Sequence, residues 1–225
     1  MVIFADGADK ASILELNKNP LVQGFTTNPT LLKKAGVTDF IGFAKDILYY
    51  ISKPISFEVF TDDMLEMVVQ GKYLSSLSGN VYVKIPITDT EGYSTYEVIE
   101  ILTQAGVKLN ITAIMTAEQV KEILPALYGT HGAYISIFAG RIADTGIDPI
   151  PVLKKVKRML GGNVKLLWAS PREVLNIYQA KMCDIITCQP ELIRKYEILK
   201  GKDLIEYSKE TVQMFYNDGK GFNIN

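Results

Sequence analysis

Eight short segments rich in β-branched and aromatic residues alternate along the chain with longer amphipathic segments, and this alternation constrains the fold most strongly. Many of the short segments are nearly apolar throughout, which is typical of parallel strands covered by helices. The eight predicted strands are VIFA (2–5), LVQGF (21–25), ISFEVF (55–60), NVYVKI (80–85), VKLNIT (107–112), AYISIF (133–138), VKLLWA (164–169) and CDIIT (183–187). Eight βα units in 225 residues predict an α/β fold whose strands close into a (β/α)8 TIM barrel.

A single domain is expected, because no low-complexity linker or block of charge divides the sequence. A hydrophobic content of 48% is sufficient for one large core. The catalytic barrel is predicted to occupy residues 1–202. Residues 203–225 begin with the helical pattern DLIEYSKETVQMFY and are predicted to form a C-terminal helical tail that packs on the barrel or on a neighbouring subunit.

Charge and metal-binding residues argue against several classes of function. A formal net charge of -1 gives no reason to expect a partner among nucleic acids or anionic membranes. Two cysteines and one histidine do not suggest a disulfide framework or a zinc site, and neither a metal nor a cofactor is predicted. The N-terminus lacks the pattern of a signal peptide, and no apolar run reaches the roughly 18 residues of a membrane span, so a cytoplasmic protein is expected.

The fourth predicted strand carries a lysine among apolar residues, in the segment VYVKIPIT (81–88). Side chains alternate between the two faces of a strand, and the apolar residues Val81, Val83 and Ile85 suit the face that meets the helices. Lys84 is then predicted to point into the barrel, toward the end where barrel enzymes have their active sites.

Two roles fit a lysine inside the barrel. It can form a structural ion pair with Asp6 or Glu58, since a buried charge needs a partner. It can also be a nucleophile, because burial favours the neutral form of an amine, and a neutral amine attacks a sugar ketone to form a Schiff base. The resulting iminium accepts electrons when a neighbouring carbon–carbon bond breaks, and this chemistry requires no metal. The residues alone leave both roles open.

The same alternation brings residues from six other strands to the carboxyl end of the barrel. Several polar groups on one predicted wall call for hydrogen-bond partners or a function. These residues are Asp6, Thr26, Thr27, Asn28, Glu58, Asn110, Thr112, Ser136, Phe138 and Ser170.

Five segments resemble the small transaldolase family, which also includes the fructose-6-phosphate aldolases. They occur in order and, together with Asp6, cover most of the chain. The segments are GFTTNPTLLKK (24–34), VYVKIPIT (81–88), LNITAIMT (109–116), ISIFAGRIAD (135–144) and LLWASPR (166–172). TTNP followed by VKIP is specific in combination, whereas either tetrapeptide alone is weaker. The resemblance implies a (β/α)8 barrel in which Lys84 is the Schiff-base nucleophile.

The resemblance also implies roles for residues of the first two strands. Asp6 would transfer protons and bind substrate hydroxyls, although an aspartate in the turn ADGAD also suits a cap. Asn28 would orient a hydroxyl of the donor sugar, with Thr26 supporting the pocket. Asn28 can at the same time hold the turn before Pro29.

Glu58 and Phe138 favour the transaldolase branch of the family. The resemblance implies that Glu58 holds a water that relays protons to the Schiff base, whereas the related aldolases usually carry glutamine there. A carboxylate can act as a general base and a neutral amide cannot. Phe138 indicates the same branch, because the aldolases typically have tyrosine at this position. Asn110 and Thr112 would complete the water and iminium network, and Ser136 would line the pocket or satisfy a hydrogen bond in the core.

Three residues after the sixth and seventh strands suggest where a phosphate binds. Arg141 and Arg172 offer paired guanidinium donors, and Ser170 adds a hydroxyl. Barrels favour phosphate sites in this region. A surface salt bridge is the alternative for either arginine. His131 is assigned to a turn or to the surface, because it precedes the sixth strand and so lies at the wrong end for catalysis.

The resemblance therefore implies a transaldolase that moves a dihydroxyacetone unit from fructose 6-phosphate or sedoheptulose 7-phosphate to an aldose phosphate. Sugar phosphates are the expected partners, pentose phosphate metabolism is the expected pathway, and a homo-oligomer is the expected assembly. One alternative is an aldolase that releases dihydroxyacetone, and another is a non-catalytic barrel that binds sugar phosphates. The sequence departs from the family pattern at Ile137, Trp168 and Pro171, which bears on donor and acceptor specificity. Trp168 would narrow the pocket if it faced inward.

Overall fold

Eight parallel strands form a closed barrel in the computed structural model, which describes residues 1–222. The strands are β1 (Val2–Asp6), β2 (Val22–Thr26), β3 (Ile55–Glu58), β4 (Val81–Pro86), β5 (Leu109–Ile114), β6 (Ala133–Ile137), β7 (Val164–Trp168) and β8 (Ile185–Cys188). They follow one another around the ring in chain order, and β8 pairs with β1. The predicted (β/α)8 TIM barrel is confirmed.

Helices connect the strands and cover the barrel. They are α1 (Lys10–Asn17), α2 (Pro29–Lys34), α3 (Phe40–Tyr50), α4 (Met64–Ser76), α5 (Tyr96–Gln104), α6 (Ala117–Ile123), α7 (Ala139–Asp144), α8 (Ile150–Met159), α9 (Val174–Gln179), α10 (Pro190–Leu199) and α11 (Leu204–Asp218). Aspartates begin several of them, as when Asp9 accepts a hydrogen bond from the Ser12 N–H at 2.8 Å. Within residues 1–222, no helix combines the length and the apolar character needed to cross a membrane.

Every predicted strand differs from the observed one by one or two residues at one end or both, and the third and eighth strands show why. The third strand stops at Glu58 and not at residue 60, because the backbone turns away and the Phe60 N–H donates to Gln70 Oε1 at 2.8 Å. The eighth strand begins at Ile185 and not at residue 183, because the Cys183 N–H closes a 3-10 turn on the Ala180 oxygen at 2.8 Å.

Apolar side chains form two layers, as the alternation along the strands predicts. The outer layer lies between the strands and the helices and includes Val81, Val83 and Ile85. The inner cluster lies inside the barrel and comprises Phe4, Tyr134, Leu167, Ala169 and Ile185, with Tyr82 and Phe138 packed against it. Lys84 therefore belongs to the face of β4 that the sequence assigns to the interior.

Phe4, Tyr82 and Tyr134 form what we call the aromatic floor, across the amino-terminal half of the barrel interior. The rings of Tyr82 and Tyr134 stack with centroids 4.0 Å apart, and Phe4 meets Tyr134 edge-on at 5.8 Å. Both arrangements are favourable for aromatic pairs. The aromatic floor fills this end with apolar volume, which leaves the carboxyl end for polar groups.

A bulge interrupts β5 near its carboxyl end. The pairing with β6 shifts between Ile111 and Ile114, and Ala113 has a φ of 62°. Thr112 and Ala113 consequently both line the interior, while Ile114 returns to the outer layer. Left-handed backbone is strained for alanine, and strain of this kind is concentrated at functional sites.

The C-terminal helix α11 has no buried residue in the single chain. Asp203 begins it by accepting hydrogen bonds from the N–H groups of Ile205 and Glu206, each at 3.0 Å. The packing of the tail on the barrel or on a neighbouring subunit stays a prediction. Residues 223–225 of the predicted tail lie outside the described residues.

Replacing Gly24 with alanine tests the packing of β2 against the aromatic floor. An added Cβ would lie 2.5 to 2.8 Å from three atoms of the Phe4 ring, which is closer than van der Waals contact. We expect the free energy of unfolding to fall by about 1–3 kcal/mol in urea denaturation. Gly161→Ala is the control, because its Cβ meets nothing within 4 Å. Equal losses in both variants would contradict the tight contact.

Candidate active site

A cavity of about 410 Å³ opens at the carboxyl ends of the strands. Every strand, or the loop directly after it, contributes to the lining. All twelve site residues predicted from the sequence line this cavity: Lys84, Asp6, Glu58, Thr112, Thr26, Asn28, Asn110, Ser136, Phe138, Arg141, Ser170 and Arg172. The structure thus brings the whole set together, while the role of each residue stays a prediction.

Lys84 projects from β4 into this cavity, and only 6% of its surface is exposed. Its Nζ donates to Glu58 Oε2 at 2.7 Å and to the backbone oxygen of Thr27 at 2.9 Å. Strand register explains the first contact, because Glu58 on β3 is paired with Lys84 on β4. Of the two partners expected for the lysine, the one that forms the ion pair is Glu58 and not Asp6.

Asp6 ends β1, and its Oδ1 accepts a hydrogen bond from the Thr26 hydroxyl at 2.7 Å. Burial raises the pKa of Asp6 above its usual value. The positive charge of Lys84 and the Thr26 hydrogen bond oppose this rise, and the negative charge of Glu58 adds to it. The cap of the following helix is Asp9, so Asp6 does not have the capping role that its turn suggested.

Asn110 is held by hydrogen bonds on both sides. The Ser136 hydroxyl donates to Asn110 Oδ1 at 2.6 Å, and Asn110 Nδ2 donates to Ser56 Oγ at 3.0 Å. All three residues are buried. Ser136 therefore satisfies a core hydrogen bond and lines the cavity as well.

Thr112 lies beyond Asn110 on the inner face of β5. Within residues 1–222 its buried hydroxyl has no hydrogen-bond partner. An unpartnered buried hydroxyl is uncommon and calls for an explanation such as a water or a ligand. Its position in the cavity lining makes this hydroxyl available to either.

Asn28 combines its two expected roles. Its Oδ1 accepts a hydrogen bond from the Leu31 N–H at 3.0 Å and so begins α2, with Pro29 in the first turn. The cap uses only the amide oxygen, so within residues 1–222 the two donors of the amide nitrogen remain for a ligand in the cavity.

The two arginines occupy different surroundings at the outer part of the cavity. Arg172 forms a two-point ion pair with Asp144, in which Nε lies 3.1 Å from Oδ1 and Nη2 contacts Oδ2. About half of each side chain in that pair is exposed, which is the surface salt bridge considered as the alternative. The Arg141 guanidinium stacks over Phe138, 5.3 Å from the ring centroid. Arg141 thus presents its donors without an ion-pair partner among residues 1–222.

A close backbone contact fixes the segments that carry these arginines. Ser170 has a φ of 60°, which is left-handed backbone outside glycine. Its carbonyl oxygen approaches Gly140 so closely that a Cβ there would overlap it. The start of α7, which carries Arg141, is therefore set directly against the loop that carries Arg172.

Trp168 and Pro171, two positions at which the sequence departs from the family pattern, lie in different surroundings. Trp168 is 1% exposed and packs in the outer layer, so it fills the core and does not narrow the cavity. Pro171 lines the cavity beside Ser170. His131 is exposed near Gly106, as expected for a residue of a turn or the surface.

Eight residues of the lining were not predicted as site residues from the sequence, and they are Pro29, Thr30, Leu31, Ala113, Ala169, Pro171, Thr187 and Gln189. Thr187 lies on β8, to which the alternation rule was not applied. The rule would have found it, because Ile185 of the same strand also faces inward. Ala113 lines the cavity because of the bulge in β5, and no residue type in this segment predicts that bulge.

A larger groove of about 710 Å³ lies outside the barrel between α6, α7 and α8. Its lining is mainly apolar, and it shares Arg141 with the active-site cavity. Its amine and carboxylate, Lys155 and Glu118, form an ion pair that is mostly exposed to solvent, unlike the buried pair inside the barrel. The described part of the chain, residues 1–222, has no group of three His, Cys, Asp or Glu side chains that could hold a metal ion.

The inner cavity combines an amine, two carboxylates and several hydroxyls. A buried amine beside a carboxylate can add to a carbonyl once it has given up its proton. A second carboxylate, separate from the first, can move protons on a neighbouring atom. The arrangement suits covalent chemistry on a small carbonyl compound.

Comparison with known proteins gives one consistent family. The family profile described as Transaldolase/Fructose-6-phosphate aldolase matches residues 3–224. A "Probable transaldolase" of Methanococcus maripaludis (strain S2) is 36% identical over 200 residues, which cover 87% of this chain and 89% of that protein. A "Probable transaldolase" of Roseobacter denitrificans is 32% identical over 200 residues, which cover 87% and 88%.

A solved structure supports the fold alone. It is described as a putative phosphonomutase from Burkholderia cenocepacia, and it superposes with a TM-score of 0.61 at 9% identity. The match covers 97% of this chain and 94% of the other. Barrels host many unrelated reactions, so this likeness carries no information on activity.

Gly140→Ala tests the contact between α7 and the Ser170 loop. A Cβ would overlap the Ser170 carbonyl, so the two segments must separate. We expect the free energy of unfolding to fall by about 1–3 kcal/mol in urea denaturation. We also expect weaker binding of inorganic phosphate, measured by ³¹P NMR titration, because Arg141 and Arg172 move apart. Gly79→Ala is the control, since its Cβ meets nothing within 4 Å. Unchanged stability and phosphate binding in Gly140→Ala would contradict the role of this contact.

Proposed function

The chain belongs to the transaldolase/fructose-6-phosphate aldolase family, and from this membership we propose that it transfers a dihydroxyacetone unit through a Schiff base on Lys84. The donor is a ketose phosphate such as fructose 6-phosphate or sedoheptulose 7-phosphate, and the acceptor is an aldose phosphate. The observation that carries the proposal is the position of Lys84 Nζ, which is buried, faces the cavity and lies 2.7 Å from Glu58.

Schiff-base formation begins with the ion pair. Lys84 passes a proton to the Glu58 carboxylate, and the free amine attacks C2 of the ketose. The nitrogen proton moves to the former carbonyl oxygen, which gives a carbinolamine. Glu58 then returns its proton to the hydroxyl, and water leaves with formation of the iminium. The open hydroxyl of Thr112 is placed to hold this water.

Cleavage of the carbon–carbon bond uses the second carboxylate. Asp6 takes the proton of the C4 hydroxyl, a carbonyl forms at C4, and the C3–C4 electron pair moves into the iminium to give an enamine. The raised pKa of Asp6 suits a group that must accept this proton and later return it.

Transfer reverses the cleavage on a new partner. The enamine carbon attacks the aldehyde of the acceptor, and Asp6 returns its proton to the alkoxide that forms. Water then adds to the iminium, and the new ketose leaves Lys84. Asn28 and Asn110 are placed to hold hydroxyls of the bound unit, since both line the cavity and Asn110 is fixed by Ser136.

The phosphate is proposed to bind at Arg141, Ser170 and Arg172. Arg141 has donors free of an ion pair among residues 1–222, whereas Arg172 must share its guanidinium between Asp144 and the ligand. A guanidinium has five N–H donors, so it can keep one contact with the carboxylate and still bind phosphate.

Glu58 favours a transaldolase over the aldolase alternative. Glutamate at this position can cycle a proton with Lys84, which a glutamine cannot do. Phe138 presents only its ring to the cavity and to Arg141. The enamine therefore has fewer proton donors nearby, which favours transfer to an acceptor over release of dihydroxyacetone.

Borohydride trapping tests the mechanism. Fructose 6-phosphate and sodium borohydride are expected to convert the iminium into a stable secondary amine on Lys84, identified by peptide mass spectrometry. Lys84→Met should remain folded and lose activity by about a thousandfold or more, because the nucleophile is removed. The control is Lys108→Met, whose amine binds the Gly79 oxygen at the amino-terminal end of the barrel.

The outcomes separate the alternatives. Rapid turnover only when erythrose 4-phosphate is added supports transfer, and release of dihydroxyacetone without it supports the aldolase. Ligand binding without a trapped adduct supports the non-catalytic barrel. Full activity in a folded Lys84→Met protein would contradict the Schiff base.

We further propose that α11 packs on a second copy of the chain in a homo-oligomer. Five exposed apolar residues fall on one side of the helix at its 3.6-residue period, and no other part of residues 1–222 buries them. They are Leu204, Ile205, Val212, Phe215 and Tyr216.

Charge on that side of α11 tests the assembly. We expect size-exclusion chromatography with light scattering to show an oligomer for the parent and a smaller species for the double variant Val212→Asp and Phe215→Asp, because a charge is costly in an apolar contact. Asn217→Asp, close to the opposite side of the helix, is the control and should leave the mass unchanged. A monomeric parent, or an unchanged mass in the double variant, would disprove the proposal.

A further inference from the structure

Thr187, on the inner face of β8, extends the polar network of the active site beyond the predicted residues. Its Oγ1 lies 2.5 Å from Thr26 Oγ1, and Thr26 Oγ1 lies 2.7 Å from Asp6 Oδ1. Thr187 and Thr26 are 5% and 3% exposed, so water does not compete strongly for either hydroxyl. Three neighbouring strands, β8, β1 and β2, thus share one chain of contacts.

The direction of this chain follows from the number of hydrogens. A threonine hydroxyl has one hydrogen, and a carboxylate oxygen can only accept. When Asp6 is ionised, Thr26 must donate its hydrogen to Asp6 Oδ1. Thr26 can then only accept from its other neighbour, so Thr187 is the donor in the 2.5 Å contact. The hydrogen bonds run from Thr187 to Thr26 and from Thr26 to Asp6.

A hydroxyl that accepts one hydrogen bond becomes a stronger donor in the next, because the bonds polarise each other. Thr187 therefore strengthens the donation from Thr26 to the carboxylate, and it also prevents the Thr26 hydroxyl from rotating away. Both effects favour the ionised form of Asp6 over the neutral form.

The charged and titratable groups around Asp6 come from three other strands. Lys84 on β4 favours the carboxylate, and Glu58 on β3 disfavours it. Cys188 on β8 is buried, and burial together with the charge of Asp6 raises the pKa of its thiol to about 12, so it stays neutral. The Thr187–Thr26 chain therefore acts beside Lys84 against the effect of burial on Asp6.

We infer that Thr187 is a positioning residue that acts through Thr26 to hold Asp6 as an oriented carboxylate, ready to take the C4 hydroxyl proton. Its catalytic meaning depends on the proposed transaldolase reaction, whereas its effect on the protonation of Asp6 does not. Thr187 itself needs no contact with the substrate for this role.

Thr187→Val tests the inference, because valine keeps the shape of threonine and removes the hydroxyl. The protonation of Asp6 can be followed by ¹³C NMR of the full chain labelled at the aspartate carboxyl carbons, with Asp6→Asn identifying the signal. We expect the midpoint of the Asp6 titration to rise by about half a pH unit, because the polarisation that is lost contributes only a fraction of the energy of one charged hydrogen bond. Asp6 must be ionised to accept a proton, so the acid limb of kcat/KM should move to higher pH by the same amount.

Two further variants separate the hydroxyl from packing. Thr187→Ser keeps a donor and should return both midpoints to the parent values. Thr103→Val removes a buried threonine hydroxyl that has no partner within residues 1–222, on α5 away from the cavity, and should shift neither midpoint. Thr187→Ala makes the same test as Thr187→Val if the valine variant does not fold.

An unchanged Asp6 midpoint in a folded Thr187→Val or Thr187→Ala protein would overturn the inference. A shift that Thr187→Ser does not reverse would also overturn it, because the cause would then be packing. A reversible NMR shift in a parent without transaldolase activity would support the hydrogen-bond chain and refute the proposed function, so the two failures are distinct.

Discussion

A pair of opposite charges inside a closed barrel is the constraint on which the rest of the structure depends. The side chains of Lys84 and Glu58 are largely removed from water, and the hydration that each ion loses is worth several kcal/mol. The register of β3 and β4 offsets this loss by bringing the two groups to one level, and the Thr27 oxygen supplies a second acceptor. A slip of one residue on either strand would turn one of the charges into the apolar outer layer.

The stability of the fold does not explain why the barrel encloses the ion pair of Lys84 and Glu58. Apolar side chains of similar volume would serve the fold at least as well as a buried ion pair. Around the pair, Asn110, Ser136 and Ser56 satisfy one another, whereas the hydroxyl of Thr112 stays open within the described chain. Rigid, fully bonded support beside a few unsatisfied groups is the pattern of a preorganised binding site.

Much of this arrangement can be read from the sequence because a buried strand offers its side chains only two directions. That rule is sufficient to predict that Lys84, Asp6 and Glu58 all point into the barrel, although it does not choose between the two carboxylates as the partner of Lys84. Applied to the last strand, it would also have predicted Thr187. The rule fails where the backbone departs from it. The positive φ angles of Ala113 and Ser170 occur in residue types that seldom adopt them, so composition carries no trace of the bulge or of the turn beside α7.

The aromatic floor has a consequence for the order of events in the proposed transfer. Because the stacked rings fill the amino-terminal half of the barrel, ligands enter and leave the cavity through its opening at the carboxyl end. The aldose that departs and the aldose that arrives must therefore use the same passage in turn, while the three-carbon fragment stays tethered to its nitrogen. The shape of the cavity therefore makes the first aldose leave before the second enters, and no moving gate is needed beside the reacting atoms.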